Sequence, residues 1–182
     1  MGRSGAWVNV NRDHDTPTFA VVSIRRWWNV MGKRAYGEAE ELFVTADAGG
    51  SNGYRSRAWK HELQKFVDET KPKVRVSHFP PGTSKWNKID HRRYCHITEN
   101  WRGKPLHSFE TIVGLTGNTR TAKGLRVNAR LDKCAYRTGV SIPKSEMDAL
   151  SLHRYEFQGD WNYGIHTQAS SASKRQPSKL ER

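Results

Sequence analysis

The sequence predicts an α/β protein in which most strands run parallel. Between residues 7 and 101, three apolar runs of strand length alternate with three segments of helical periodicity, an order typical of a parallel sheet covered by helices. The run at 42–46 shows no alternation with polar residues, which favours a strand that is covered on both faces. A chain of 182 residues is long enough to bury a real core, so one domain is expected.

The first half of the chain alternates strands and helices. Residues 7–10 form an apolar run that predicts the first strand. Apolar residues at helical spacing predict a helix over 17–36. This helix would follow polar capping residues, Asp15 and Thr16, and begin with Pro17. The elements predicted next are a strand at 42–46, a helix around 59–67, a strand at 74–79 and a helix over 84–101.

Past residue 105 the pattern weakens. Residues 109–115 and 145–152 predict short helices, and residues 125–131 alternate like a strand. From about Gln168 the chain is rich in Ser, Lys, Arg and Gln, which predicts a disordered basic tail. The expected organisation is a core, a less regular extension and a tail, at 1–105, 106–166 and 167–182.

The strong positive charge favours a polyanionic partner. Lys and Arg total 31 against 18 acidic residues, a formal net charge of +13, as expected of a protein that acts on nucleic acid. The alternative is a basic protein without a nucleic-acid role. No segment approaches the roughly 18 apolar residues of a membrane helix, and no signal peptide pattern is present. Cys95 and Cys134 are too few for a disulfide framework, so a cytoplasmic setting without a membrane partner is expected.

Asp47 is predicted to lie at a ligand-binding edge of the sheet. It follows the strand at 42–46, and ligands in open α/β sheets gather beyond the carboxyl ends of strands. The glycine-rich turn at 49–53 is expected to let the backbone approach DNA or a metal ion closely, with Asn52 as a DNA contact. The alternative is that Asp47 and the glycines simply shape a tight turn.

Asp90 is the second candidate carboxylate. On the helix predicted over 84–101 it shares one face with aromatic and apolar residues, namely Trp86, Tyr94, Ile97 and Trp101. A carboxylate that points inward among such residues needs a cation or hydrogen bonds to compensate for its burial. The alternative is an ion pair with Arg92 or Arg93 on the same helix.

Two carboxylates at one sheet edge favour a divalent cation that handles phosphate. Mg²⁺ binds a few carboxylate oxygens and keeps water and phosphate oxygens in its other positions. Two such ions, about 3.5 to 4 Å apart, can promote an in-line phosphoryl displacement, and that chemistry usually needs at least three carboxylates. Asp13 and Asp15 also lie between a strand and a helix, but helix capping explains Asp15 more simply. Zinc is not favoured, because the histidines and the cysteine within 78–96 match no paired ligand pattern.

Cations crowd the segment around Asp90. They are Lys85, Lys88, Arg92, Arg93, Arg102 and Lys104, interleaved with Trp86, Tyr94 and Trp101. We expect the aromatic side chains to pack in the core, while Lys85, Lys88 and Arg92 contact DNA phosphates. One alternative is that the rings stack on unpaired bases, and another is that the cations only solvate the outer face of the helix.

Several longer motifs point to one family. They include Trp-Val-Asn-Val at 7–10, Thr-Ala-Asp at 45–47, the run HFPPGTSKWN at 78–87, and shorter matches at 13–16, 19–21, 23–28, 49–53, 100–106, 156–157 and 161–163. Over roughly residues 5–165 the chain resembles the Rhodopirellula-type DDE transposases of bacterial insertion sequences. The resemblance implies a ribonuclease H-like catalytic core that cuts and rejoins DNA at the ends of a mobile element with Mg²⁺, or alternatively Mn²⁺.

The same resemblance implies roles for both candidate carboxylates. Asp47 matches the family's second catalytic carboxylate, and Asp90 stands where the family usually has glutamate. Aspartate is one methylene shorter, roughly 1.5 Å of reach, whereas metal–ligand distances tolerate only about 0.2 Å. The family's first catalytic aspartate belongs to a strand upstream of residues 7–10. The resemblance therefore implies an N-terminally truncated core that lacks its first strands.

A core without those strands would leave the strand at 42–46 with an unpaired, hydrophobic edge. We therefore expect the chain to be inactive and poorly stable by itself. The edge would be free to pair with a second copy or with a full-length transposase. The alternative to a transposase fragment is a non-catalytic DNA-binding or interaction protein derived from one.

Overall fold

The computed structural model describes residues 5–168. The strands are β1 (Gly5–Asn11), β2 (Glu41–Ala46), β3 (Lys73–His78), β4 (Arg126–Asp132), β5 (Leu152–Arg154) and β6 (Asn162–Ile165). The helices are α1 (Pro17–Trp27), α2 (Lys33–Tyr36), α3 (Arg57–Thr70), α4 (Lys88–Trp101), α5 (Phe109–Gly117) and α6 (Lys144–Asp148). A π-helical turn, Trp28–Gly32, joins α1 to α2, and a 3₁₀ turn, Ser84–Trp86, precedes α4. From residue 169 onward the predicted tail lies outside the described residues.

The described strands form two sheets rather than one mainly parallel sheet. In the smaller sheet β1 pairs with β4 in parallel. The larger sheet has the order β2-β3-β6-β5, in which β2 and β3 are parallel while β6 is antiparallel to both of its neighbours. The α/β class is confirmed, but the prediction of mainly parallel pairing is wrong. The reason is that β5 and β6, which the sequence analysis did not identify, add antiparallel pairs to the larger sheet.

β2 lies at an edge of the larger sheet, and within residues 5–168 no strand pairs with its outer side. Leu42 and Ala46 are buried, whereas Phe43 keeps 61% of its surface exposed and Thr45 is exposed as well. The predicted coverage of both faces is therefore wrong. Only one face packs against the body of the protein, where Leu42 joins the same cluster as Val21 of α1.

The main core lies between the larger sheet and the helices α1 and α3. Its buried members are Val21, Trp28, Leu42, Trp59, Leu63, Phe66, Val67, Val74, Val76, Tyr163 and Ile165. A second, smaller cluster contains Ala6, Ile97, Leu125 and Val127. Tyr163 and Ile165 of β6 are fully buried, so a strand from the predicted extension at 106–166 contributes to the core formed by the first half of the chain. The division of the chain at residue 105 stays a prediction.

The helix predicted over 17–36 is confirmed as a helical segment that the π turn interrupts. Its N-terminal cap is Thr16, whose hydroxyl accepts a hydrogen bond from the backbone N–H of Phe19 at 3.2 Å. The capping role expected for Asp15 is therefore wrong, because the neighbouring threonine occupies the capping position.

Most other predicted elements are confirmed within a few residues, namely β1, β2, β3, β4, α3 and α5. The helix predicted at 145–152 ends at Asp148, and residues 149–151 connect it to β5, which begins at Leu152. The long helix predicted from residue 84 is α-helical only from Lys88 onward. None of the helices within residues 5–168 combines the length and the apolar character needed to cross a membrane.

A buried carboxylate ties the smaller sheet to α1. Asp132, at the end of β4, is 1% exposed. Arg26 lies 2.8 Å from its Oδ2, Tyr136 donates its O–H to the same oxygen at 2.6 Å, and the N–H of Cys134 donates to Oδ1 at 3.0 Å. Burial alone would raise the pKa of Asp132, but these donors outweigh it and lower the pKa to about 2. Arg26 also donates to Asn9 of β1 at 3.0 Å, so one polar network joins β1, β4 and α1.

Replacing Asp132 by asparagine tests this network. Asp132→Asn removes the charge opposite Arg26 and keeps the side-chain size, so the free energy of unfolding should fall by about 2 kcal/mol at neutral pH. The folded-state pKa of about 2 lies below the usual value of 3.8. The advantage of the wild type should therefore be complete above about pH 4 and disappear as the pH falls toward about 2. Urea unfolding of both proteins across this pH range measures the difference.

The control is Asp148→Asn, which removes an exposed carboxylate paired with exposed Lys144. Its free energy of unfolding should change by less than about 0.5 kcal/mol. A difference between wild type and Asp132→Asn that does not vary with pH would contradict an ionised carboxylate as its cause.

Candidate functional site

Two parallel strands end beside each other at one edge of the larger sheet. β2 ends at Ala46 and β3 ends at His78, and these two residues are paired. Immediately afterwards the backbone N–H of Phe79 donates to the C=O of Ala46 at 2.8 Å. Asp47 therefore lies at the carboxyl edge of the sheet, in the place that sequence reasoning predicts for it.

A cleft of about 610 Å³ opens at this edge. Its walls come from the end of β2, the turn that leads into α3 and the turn after β3, at 47–50, 53–56 and 80–82. Tyr54 and Arg55 belong to this lining, and sequence reasoning missed both although they directly follow the glycine-rich turn. The guanidinium of Arg55 is exposed and lies 5.1 Å from the centre of the Tyr54 ring. The cleft is therefore lined by a carboxylate and an accessible cation.

The glycine-rich turn at 49–53 is tightly folded. A Cβ atom on Gly53 would lie 2.9 Å from the backbone oxygen of Ala48, and Gly50 has a φ of 77°, so both positions require glycine. The tight-turn alternative accounts for these glycines. Asn52 is half-buried and is not among the residues that line the cleft, so its contact with DNA stays a prediction.

One oxygen of the Asp47 carboxylate is buried without a partner among the described residues. The residue is half-buried, and its Oδ1 is buried without a hydrogen-bond donor among the described residues. An unpaired buried acceptor costs about 1–3 kcal/mol, and more when it is charged, so a cation in the cleft would relieve this oxygen. Carboxylate oxygens are the ligands that Mg²⁺ and Mn²⁺ prefer. Asp47 therefore fits a divalent cation.

The described residues do not gather a full set of ligands around it. Within residues 5–168 no three side chains of His, Cys, Asp or Glu are grouped so that they could hold a metal ion. Asp13 instead accepts a hydrogen bond from the backbone N–H of Tyr136 at 3.0 Å, and Asp15 is exposed beside a different cleft. The Asp47 cleft thus offers one fitting carboxylate rather than the three that a pair of ions would use.

Asp90 lies in an environment different from the predicted one. Asn87 caps α4, because its Oδ1 accepts from the N–H of Asp90 at 3.4 Å while its amide donates to Asp90 Oδ2; this reciprocal pair is similar to a capping box. The predicted inward, aromatic setting is wrong, because Trp86 and Tyr94 are exposed. The first buried side chain of α4 is Ile97, since the helix packs against the smaller core cluster through its second half. Asp90 does not line the cleft, and its role as a ligand stays a prediction.

The cations around Asp90 divide into two kinds. The side chains of Lys85, Lys88 and Arg92 are exposed, as phosphate contacts would have to be. Arg93 is half-buried and donates to the backbone C=O of Gly5 at 3.4 Å, which holds α4 beside β1. Contact of the three exposed cations with DNA stays a prediction.

A buried hydrogen-bond chain holds the backbone of Asp47. The ring Nδ1 of His78 lies 3.0 Å from the C=O of Asp47, and Nδ1 carries the proton because a carbonyl only accepts. The other ring nitrogen, Nε2, then accepts from the Tyr163 hydroxyl at 3.1 Å. The Tyr163 oxygen in turn accepts from the indole N–H of Trp59 at 2.9 Å. The chain from Trp59 through Tyr163 and His78 to Asp47 therefore has a single direction.

Burial favours the uncharged forms of His78 and Tyr163. It is the main cause that lowers the pKa of His78; the hydrogen bond to Asp47 opposes the shift and nearby Lys60 adds to it. Burial also raises the pKa of Tyr163. Lys60 lies 5.0 Å from the centre of the Tyr163 ring, and burial followed by repulsion from Arg154 lowers its own pKa. His78 is therefore a neutral side chain that positions Asp47.

Comparison with known families agrees with the motifs. The family model described as Rhodopirellula transposase DDE domain matches residues 1–167. The matched segment contains Asp47, Asp90 and the strands β1 to β6. No curated protein and no solved structure matches the chain. The resemblance carried by the motifs is confirmed at the level of the family.

Two substitutions of His78 separate its two hydrogen bonds. His78→Asn places an amide near the position of Nδ1, so it can still donate a hydrogen bond to the C=O of Asp47. His78→Gln places its amide near the position of Nε2, so it can only hydrogen-bond the Tyr163 hydroxyl. Each variant should lose about 1–2 kcal/mol of unfolding free energy. Only His78→Gln should raise amide hydrogen exchange in the segment 47–53, as mass spectrometry would measure. Equal exchange in the two variants would contradict a positioning role for His78.

Proposed function

The chain belongs to the Rhodopirellula transposase DDE domain family, and we propose that it acts on DNA with a divalent cation held by Asp47. Family membership indicates a transposase. The observation that carries the proposal of a cation is the buried Oδ1 of Asp47, which has no donor among the described residues. Asp47 also lines a cleft at the carboxyl edge of two parallel strands, where α/β proteins bind ligands.

The proposed reaction is cleavage and rejoining of DNA by in-line phosphoryl transfer. When bound, Mg²⁺, or Mn²⁺ in its place, neutralises charge on phosphate oxygens and favours deprotonation of an attacking water or hydroxyl group. The chain's own residues would orient the cation and the DNA and would neutralise phosphate charge. Asp47 presents a carboxylate oxygen, His78 fixes its backbone, and Arg55 offers a cation to a phosphate in the same cleft.

We propose Asp90 as a second ligand, completed by a carboxylate from elsewhere. Asp90 sits in the first turn of α4, where Asn87 orients its carboxylate. Because residues 5–168 contain no group of three suitable side chains, a further carboxylate would have to come from another chain or from outside this range. By itself the chain is therefore expected to bind DNA without cleaving it.

The open edge of β2 is the proposed attachment point for such a chain. Among the described strands β2 pairs with β3 alone, so the backbone N–H and C=O groups of its outer side can receive another strand. The exposed Phe43 projects from the same strand and would gain cover from a neighbour. A second copy or a full-length transposase would supply this strand next to the segment that leads into Asp47.

A second candidate function is binding of DNA or of a transposase without catalysis. The observation that favours it is the lack of a three-ligand group within residues 5–168. DNA binding is compatible with both candidates, so the property that separates them is whether Asp47 binds a metal ion.

Asp47→Asn separates the two candidates. The substitution removes the charge and keeps the size, so it should abolish the rise in Tm that we expect when Mn²⁺ or Mg²⁺ is added to the wild type. DNA affinity should stay within about twofold or increase, because repulsion between the carboxylate and phosphate is removed. Thermal unfolding with and without Mn²⁺, and fluorescence anisotropy with labelled DNA, measure the two effects.

The matched control is Asp148→Asn, whose carboxylate is exposed on α6 and whose Tm should respond to Mn²⁺ like that of the wild type. An undiminished response in Asp47→Asn would mean that the ion binds elsewhere and would contradict the proposal. A wild type without any response would favour the second candidate.

Neutralising the exposed cations of α4 tests their contact with DNA. Lys85→Gln, Lys88→Gln and Arg92→Gln, combined, should weaken duplex binding and reduce the slope of log affinity against log salt by up to about 2.7. The control combines Lys65→Gln, Lys73→Gln and Lys144→Gln, which remove the same charge from cations that already pair with carboxylates. Its slope should change by less than about 1. Equal slopes for the two triple variants would exclude a specific role for the α4 cations.

A further inference from the structure

Three large apolar side chains at the start of α4 face solvent. Trp86 is 55% exposed, Ile89 59% and Tyr94 61%, and these three residues are named here the α4 platform. Within residues 5–168, the rings of Trp86 and Tyr94 make no stacking contact with another aromatic ring or with a cation. Large apolar side chains that stay exposed within one short segment are available to contact a ligand.

The platform is framed by positive charge. Lys85, Lys88 and Arg92 are exposed, while the one acidic side chain in this stretch, Asp90, is half-buried and engaged by Asn87. Exposed aromatic faces among cations suit single-stranded nucleic acid, which presents both base faces and phosphates. A protein partner suits this surface less well, because lysine is depleted at protein–protein interfaces.

The platform is also close to the Asp47 cleft along the chain. Gly82 lines the cleft, and Trp86 follows four residues later, so the two lie at most about 14 Å apart. A backbone hydrogen bond closes this connection, since the N–H of Trp86 donates to the C=O of Thr83 at 2.7 Å. A nucleotide held on the platform would thus have neighbouring phosphates within reach of the cleft.

Whether exposed rings can stack on DNA bases depends on whether the DNA is single-stranded or duplex. Bases in a duplex present only their edges in the grooves, because stacking covers their faces. Rings on a helix surface can stack on a base only when its strand is unpaired. We propose that the α4 platform stacks on unpaired DNA bases while the flanking cations hold the neighbouring phosphates. This inference rests on the proposed function and gives the site a preference for unpaired strands over duplex.

The test compares a labelled single strand with its own duplex, without divalent cations, by fluorescence anisotropy. The double substitution Trp86→Ala/Tyr94→Ala should weaken single-strand binding at least about tenfold and duplex binding less than about twofold. Trp86→Phe/Tyr94→Phe keeps both aromatic faces and should restore single-strand affinity to within about threefold of the wild type. The control Phe157→Ala removes a ring that is 78% exposed elsewhere and should change neither affinity.

If Trp86→Ala/Tyr94→Ala loses equal affinity for single strand and duplex, or loses none for the single strand, the proposed role of the α4 platform is overturned. A platform variant that turns a wild-type dimer into a monomer in sedimentation while its single-strand affinity is unchanged would also overturn it, because the surface would then be a protein interface. A folded wild type that binds neither form of DNA would overturn the proposed function together with this inference. A wild type that binds duplex, with the platform variants unaffected on either form, would overturn this inference alone.

Discussion

One buried hydrogen-bond chain holds the backbone of Asp47, the candidate ligand. It runs from Trp59 of α3 through Tyr163 of β6 and His78 of β3 to the backbone at Asp47. Each donor meets one acceptor, so removing any one of these groups would leave a buried polar partner unpaired. Trp59 and Tyr163 also belong to the main core. Core packing and the backbone position of Asp47 are therefore coupled through this chain.

Helices and strands with a regular apolar period were predictable from the sequence. Strands that form only because distant strands pair with them were not. Trp59, Leu63 and Phe66 follow the period of one helix face, and all three are buried in α3. β6 offers only a short signature, because Tyr163 and Ile165 alternate with Asn162 and Gly164 over no more than 4 residues. It is a strand because β3 and β5 pair with it on both sides, which makes its conformation a property of the tertiary structure.

The two candidate carboxylates differ in the same way. Asp47 could be placed because its position follows from where one strand ends. The surroundings of Asp90 could not, because periodicity shows which residues share a helix face but not how far another element covers that face. The smaller core cluster reaches Ile97 and leaves Trp86 in solvent. A complete set of metal ligands is harder still to predict, because its members come from separate elements. No local sequence pattern shows the distances between them.

The central place of β6 bears on how the chain folds during synthesis. Val74 of β3 pairs with Ile165 of β6. β3 therefore cannot form this pair until β6 leaves the ribosome, some 91 residues later. Until then β2 and β3 form only a two-stranded pair, which is marginally stable at best, and their apolar side chains stay accessible to other chains. Apolar surface and strand edges that stay exposed in this way make a nascent chain prone to aggregation. The larger sheet, and the hydrogen bonds that reach Asp47 through Tyr163, are then completed together as one late event of biogenesis.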